Sequence, residues 1–309
     1  MDRDEVVAGA ALRVRVQANG IAIEVEDFGP PDRPAVVLIM GLGMQLVAWP
    51  GDFIQALLGA GLRVVRFDNR DIGLSQKFDD MGVPNVMWES LKHRFGLPVH
   101  APYTLRDMAA DTLGVMDALA IERAHIVGAS MGGMVAQRVA LAAPGRTLSL
   151  TSIMSSSGAR YLPGPKPHVL QALLSRPESR SEAAIVAHAM HLFRVIGSPG
   201  FPIDEAQLRE RVLLATRRSF HPQGAVRQLT AIAGDSRRAD ELPRIKTPTL
   251  VLHGRDDPLV PVACGQDTAR RISGSRFHCI AGMGHDLPPG VVGLLLEQLL
   301  PHVSTTVAA

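Results

Sequence analysis

His125-Ile126-Val127-Gly128-Ala129-Ser130-Met131-Gly132-Gly133 is the stretch on which the reading of this chain turns. Residues 125–127 read as a short strand, and a helical pattern begins at Met131 and runs to Ala142, so Ser130 stands at a strand-to-helix turn. The G-x-S-x-G spacing suits so sharp a turn. Gly128 and Gly132 leave room for neighbouring backbone, the serine takes a strained conformation, and its hydroxyl is lifted above the sheet. There it meets a helix N-terminus, which favours developing negative charge. A Gly-rich turn without chemistry is the plainer alternative. The strand before and the helix after favour a nucleophilic serine.

Outward from this turn, strand and helix signals alternate. Residues 35–40 (AVVLIM) form a continuous apolar run, as in a strand buried on both faces of a parallel sheet. Residues 63–67, 148–154, 249–253 and 276–280 read as further strands, and 13–17 and 22–27 as two strands joined by a tight turn at Asn19-Gly20. Helical patterns fall at 53–58, 104–119, 262–272 and 291–300. Thr104 followed by Asp107 approaches a capping box for the second of these. The alternation predicts an α/β fold with a doubly wound, mostly parallel sheet.

Two stretches interrupt the rhythm. Residues 158–244 offer no convincing strand but carry helical patterns at 169–174, Glu182–Ile196 and Glu205–Arg218, broken by Pro and Gly. They are expected to form a helical cap inserted into a core domain made of 1–157 and 245–309. Having no core of its own, such a cap buries its apolar faces (Leu170, Leu173 and Leu174; Ile185, Leu192 and Phe193) over the mouth of the site, and so sets substrate range rather than chemistry. A shorter insertion, 76–102, is expected to assist through an apolar segment at 86–95.

Bulk properties narrow the function classes. Hydrophobic residues make up 46% of the 309 and charged residues 20%, which suits a folded globular chain. With 32 basic and 30 acidic residues the net charge is +2, and the basic residues are scattered, so no nucleic-acid partner is expected. No apolar run reaches the ~18 residues that would span a bilayer. The start, MDRDEVVAGA, lacks the basic and apolar regions of a secretory leader, and a cytoplasmic address is the default expectation. Cys264 and Cys279 are too few for a disulfide framework and are read as buried free thiols. His188 and His191 stand at helical spacing, but a third metal ligand with recognisable spacing is missing.

Four segments together resemble the α/β-hydrolase family over nearly the whole chain. They are Met40-Gly41-Leu42-Gly43, the run from Phe67 to Ser75 (FDNRDIGLS), the serine turn, and two C-terminal loops. Within that family the chain is similar to capped serine esterases of the aclacinomycin methylesterase type. The resemblance implies a base and an acid for Ser130. His285, in Gly282-Met283-Gly284-His285-Asp286-Leu287-Pro288, matches the family's histidine loop in place and character. For the acid, Asp256 and Asp257 are adjacent; Gly254, Asp257 and Pro261 fit the family's spacing, which favours Asp257 and leaves Asp256 a loop-bonding or surface role. The order Ser130, Asp257, His285 is the one expected for this fold. Backbone N–H groups of Met131 and, by resemblance, Leu42 would form the oxyanion hole. Many relatives carry His-Gly where this chain has Met40-Gly41; a backbone donor needs no particular side chain, so the departure leaves the expected donor in place. The segment 68–75 is read as structural, its Asp and Arg side chains bonding across loops.

The expectation is a carboxylic ester hydrolase acting on a partly hydrophobic small molecule through an acyl-enzyme, without cofactor or metal. The same triad is compatible with C–C bond hydrolysis, acyl transfer or cofactor-free perhydrolysis, and a non-catalytic ligand receptor of this fold is the alternative from another class. Dehalogenases and epoxide hydrolases of the fold are disfavoured, because they place an aspartate where Ser130 stands. Met44, Met87, Met131, Met134 and Met283 are candidates either for an acyl pocket or for ordinary core. Oligomeric state is left open.

Overall fold

The computed structural model describes residues 11–305; the leader reading at 1–10 lies outside them. Eight strands form one sheet in the order β1-β2-β4-β3-β5-β6-β7-β8. They are β1 Ala11–Ala18, β2 Ile21–Phe28, β3 Ala35–Ile39, β4 Arg63–Phe67, β5 Ala124–Ala129, β6 Thr147–Ile153, β7 Thr249–Gly254 and β8 Arg276–Ile280. The first two pair antiparallel through the Asn19-Gly20 turn, β2 pairs antiparallel with β4, and from β4 to β8 every neighbouring pair is parallel. The expected doubly wound α/β sheet is therefore present.

Strand β3 shows how the sheet divides the core. Successive side chains of a strand point to opposite faces. Val37 and Ile39 join a cluster with Leu105, Met108 and Val115 of one helix and Val135 and Val139 of another. Val36 and Leu38 join a second cluster with Phe53, Ile54, Val291, Leu295 and Leu299. The four helices concerned are α1 Gly51–Gly59, α3 Leu105–Ala118, α4 Met131–Ala142 and α11 Pro289–Thr305. Thr104 and Asp107 exchange side-chain and backbone bonds at the start of α3, completing its capping box. Helix α2, Val86–Arg94, lies in the shorter insertion, and α10, Val262–Arg271, follows β7.

Among the described residues, 158–244 is helical: α5 Pro167–Leu174, α6 Glu182–Ile196, α7 Glu205–Arg218, α8 Pro222–Ala233 and α9 Arg238–Glu241. Three expectations for the insertions need correction. This stretch has a small core of its own, in which Val186 and Met190 of α6 pack on Leu208 and Val212 of α7. In α5, Val169 and Ala172 are buried while Leu170, Leu173 and Leu174 are exposed, because the short helix turns its narrower apolar edge inward. In α2 the inward edge is polar. Glu89 is buried and His93 bonds the Ala233 carbonyl of α8, which leaves Met87, Trp88, Leu91 and Phe95 facing out.

Both cysteines are unpaired; Cys264 is buried and Cys279 half-buried. No helix of the described residues is long and apolar enough to cross a membrane.

Candidate active site

Ser130 sits between β5 and α4 with φ 55° and ψ −121°, a strained conformation for a residue with a side chain. The strain is held by the crowding that the glycines permit. A Cβ on Gly128 would lie 2.0 Å from the Gly132 carbonyl oxygen, and one on Gly132 would lie 1.9 Å from the Ile39 carbonyl oxygen. The turn is also tied to β6 and its loop. Ser130 N–H donates to the Ile153 carbonyl at 2.9 Å, and the Ser155 hydroxyl donates to the Ser130 carbonyl at 2.7 Å.

The structure brings the three side chains named from sequence into one chain of bonds. Ser130 Oγ lies 2.9 Å from His285 Nε2, and His285 Nδ1 lies 2.7 Å from Asp257 Oδ2. A carboxylate accepts only, so Nδ1 carries the proton and the Nε2 lone pair faces the serine hydroxyl. Asp257 is fixed in turn, since its Oδ1 accepts the Leu259 and Val260 N–H groups at 2.9 and 2.8 Å. Both His285 and Asp257 are buried, while Ser130 is partly accessible. Asp256 points elsewhere. It is exposed, and its Oδ2 accepts the Gly282 N–H at 2.8 Å, bonding the acid loop to the histidine loop.

A second imidazole borders the acid. His253 Nε2 lies 3.6 Å from Asp257 Oδ2 and donates to the Val260 carbonyl at 2.7 Å, so its proton sits on that nitrogen. Burial holds this histidine below its ordinary pKa, which keeps it neutral. Its bond to Val260 holds the acid loop in shape.

The loop after β3 passes the nucleophile closely: a Cβ on Gly41 would lie 3.1 Å from Ser130 Cβ and 3.6 Å from Ser130 Oγ. Leu42 follows directly and is half-buried, whereas Met131, the residue after Ser130, is fully buried. The 68–75 segment braces this loop as expected. Asn69 Nδ2 donates to the Met40 carbonyl at 2.9 Å and Asp68 Oδ1 accepts the Leu46 N–H at 2.8 Å.

A second brace was not foreseen and comes from 158–244. Gln228 Oε1 of α8 accepts the Gly43 N–H at 2.9 Å, and its Nε2 donates to the Arg70 carbonyl at 3.0 Å. Arg218 of α7 bonds both Gln45 Oε1 and Asp68 Oδ2, at 2.8 and 2.6 Å. Arg227, fully buried, forks onto both oxygens of Asp71 at 2.7 and 2.9 Å. That pairing, with the Phe78 N–H and Tyr103 hydroxyl also donating to Asp71, outweighs burial and holds the Asp71 carboxyl below the usual carboxylate range. The sequence signal was an arginine and a glutamine among small and apolar residues after Pro222, a proline suited to a first helical turn.

Of the five methionines considered for an acyl pocket, Met131, Met134 and Met283 are core, Met87 is exposed and Met44 is half-buried beside the second core cluster. Among the described residues, no three His, Cys, Asp or Glu side chains gather as a metal site. His188 and His191 accordingly stand apart from any such group.

Comparison with known proteins bears on the family and the fold. A family profile described as alpha/beta hydrolase fold matches residues 34–288. The chain is 30% identical over 307 residues to the rhodomycin D methylesterase of Streptomyces sp. strain C5, covering 93% of this chain and 96% of that one. It is 31% identical over 284 residues to a putative carbamate hydrolase of Variovorax paradoxus, covering 85% and 89%. Among solved structures, 2-hydroxy-6-oxo-6-phenylhexa-2,4-dienoate hydrolase from Rhodococcus sp. strain RHA1 superposes with a TM-score of 0.72 at 22% identity, covering 95% of this chain and 99% of that one, a likeness of fold.

Proposed function

This chain belongs to the alpha/beta hydrolase fold family, and on that premise we propose that it is a serine carboxylesterase, with Ser130 as nucleophile, His285 as general base and Asp257 as the residue that orients the histidine. The observation that carries the reading is the unbroken bond chain from Ser130 Oγ through His285 to Asp257, at 2.9 and 2.7 Å. Ser130 Oγ attacks the ester carbonyl carbon while its proton passes to His285 Nε2. The carbonyl oxygen becomes an oxyanion, met by the N–H groups of Leu42 and Met131 and by the N-terminal end of α4. Collapse breaks the bond to the alcohol oxygen, which takes the proton from Nε2. Water then attacks the acyl carbon while giving a proton to the same nitrogen, and collapse of the second oxyanion breaks the bond to Ser130 Oγ, which takes that proton back as the acid leaves.

The methylesterase relative favours a methyl ester of a larger, partly apolar acid as the substrate class. Residues 158–244 serve in this reading as the cap that selects it. The carbamate hydrolase relative supports a second reading, in which the same nucleophile attacks a carbamate carbonyl. A panel of methyl and p-nitrophenyl esters of graded acyl length, a carbamate and a vinylogous diketone tests the choice, with Ser130→Ala as control. Multiple turnover of esters, absent in Ser130→Ala and unchanged by EDTA, is the expected outcome. Turnover confined to the carbamate or the diketone would replace the reaction, and single turnover on every substrate would favour a ligand receptor.

A further inference from the structure

The chain that leaves α6 runs alongside the histidine loop. The Ile196 carbonyl accepts the His285 N–H at 2.7 Å, and Gly200 N–H donates to the Gly282 carbonyl at 2.9 Å. Between these two backbone bonds lies one buried side chain, Ser198. Its hydroxyl accepts the Gly284 N–H at 2.9 Å and donates to Asp286 Oδ1. A serine hydroxyl has a single proton to give, so its donor capacity is spent on Asp286 while a lone pair takes Gly284. The two partners are the residues immediately before and after His285. The hydroxyl therefore brackets the histidine along the chain.

The two segments are in contact without slack. A Cβ on Gly284 would lie 2.3 Å from the Gly197 carbonyl oxygen, and one on Gly200 would lie 2.8 Å from Gly282 Cα. The imidazole of His285 is held at its ring by Ser130 and Asp257, and its backbone is held by residues 196–198. Burial pushes the Asp286 carboxyl above its ordinary pKa, and Ser198 counters this through its hydroxyl and its backbone. Without the hydroxyl, the buried Gly284 N–H and the half-buried Asp286 carboxyl would each lose a partner, and the loop would move to recover them.

We infer that Ser198 is a positioning residue for His285, the side chain through which the helical stretch 158–244 sets the place of the general base. The inference rests on the triad reading above. It makes that stretch part of the support for the chemistry, beyond any part it plays in choosing the substrate. Proton transfer from Ser130 is steep in distance, and a displacement near 1 Å reduces rate on the order of 100-fold.

Ser198→Ala and Ser198→Thr test it in the full chain. Two readouts are used: the rate of Ser130 phosphonylation by a small fluorophosphonate, followed by intact mass and peptide mapping, and kcat and KM for p-nitrophenyl acetate. Ser198→Ala is expected to slow labelling and kcat together by about 10- to 100-fold with KM within about twofold. Ser198→Thr, which keeps the hydroxyl, is expected to restore both to within about threefold of the parent. Should the alanine variant fail to fold, Ser198→Cys keeps the volume with a weaker donor and is expected to slow labelling by about fivefold or more. Labelling of a folded Ala or Cys variant at the parental rate, or a change confined to KM or thermal stability, would overturn the inference while leaving the triad intact. A parent chain labelled at a residue other than Ser130 would instead overturn the triad reading, and this inference with it.

Discussion

Gln228 of α8 accepts the backbone N–H of Gly43 at 2.9 Å, across 185 positions of sequence. The same side chain donates to the Arg70 carbonyl, so one amide links α8 both to the loop that passes the nucleophile and to the 68–75 segment that braces it. An oxyanion donor is useful only if it is already aimed when charge develops. Gln228→Ala is therefore expected to lower kcat by about tenfold with KM little changed, since Leu42 precedes the freed Gly43. Steady-state kinetics on a p-nitrophenyl ester checks this, and an effect on KM alone would assign Gln228 to substrate binding.

Asp257 and Asp256 are adjacent in sequence but have separate partners. Asp257 holds Nδ1 of His285, whereas Asp256 holds the Gly282 N–H. Asp257→Asn is expected to reduce kcat by a factor on the order of 10⁴, through loss of the productive tautomer. Asp256→Asn keeps an acceptor for Gly282 and should change kcat by less than about threefold. The reverse ranking in steady-state kinetics would move the orienting role to Asp256.

Arg227 and Asp71 are both fully buried, and each needs the other. Arg227→Met leaves the Asp71 carboxylate with its Phe78 and Tyr103 donors and the His221 imidazole at 3.5 Å, but without its guanidinium. The expected loss is about 3–5 kcal/mol of unfolding free energy. Urea denaturation followed by circular dichroism measures it. The double variant Arg227→Met, Asp71→Leu should recover part of the loss, because neither charge is then stranded.

Burial, with His302 close by, lowers the pKa of His125 to about 4. His125 Nδ1 bonds the Ser149 hydroxyl at 2.8 Å inside the core. Burial also depresses His253 and His302. Between pH 6.5 and 4 the unfolded chain binds protons that the folded chain refuses, so stability falls as pH falls through that window. His125 alone contributes roughly 3 kcal/mol of this dependence at its acid end. The depressed aspartates Asp71 and Asp267 take effect below their ordinary value near 3.8, the depressed glutamates such as Glu241 below theirs near 4.5, and the carboxyls of Asp68 and Asp111, pushed upward by burial, work against the decline. His125→Gln is thus expected to flatten the decline of Tm between pH 6.5 and 4, as read by differential scanning fluorimetry at constant ionic strength. A decline of unchanged steepness would assign the acid sensitivity to other groups.

Much of the fold was legible because apolar burial leaves a periodic trace. The run 35–40 reads as a two-faced strand since Val36 and Leu38 enter one core cluster and Val37 and Ile39 the other. The serine turn was legible because strand, glycines and helix coincide within a few residues. Helix α8 left no such trace. Its buried face carries Arg227, Gln228 and Thr230, so hydrophobic periodicity is silent where polar side chains do the packing. Helix α2 misled for the complementary reason: Glu89 and His93 face inward and its apolar residues face out. Ser198 was hidden because a lone serine after a helix has no distinguishing pattern, and its partners are 86 and 88 residues away.

The bonds made by Arg218, Arg227 and Gln228 bear on how this chain can be recombined with its relatives. A segment swap that exchanged 158–244 alone would remove the partners of Asp68, Asp71 and Gly43 and strand two buried carboxylates in the recipient. The heritable module is discontinuous: the helices travel with the loop after β3, with 68–75 and with the glycine-lined histidine loop. Chimeras that respect these seams should fold and turn over, whereas those cut at 158 and 244 should express poorly whatever substrate they were built to accept.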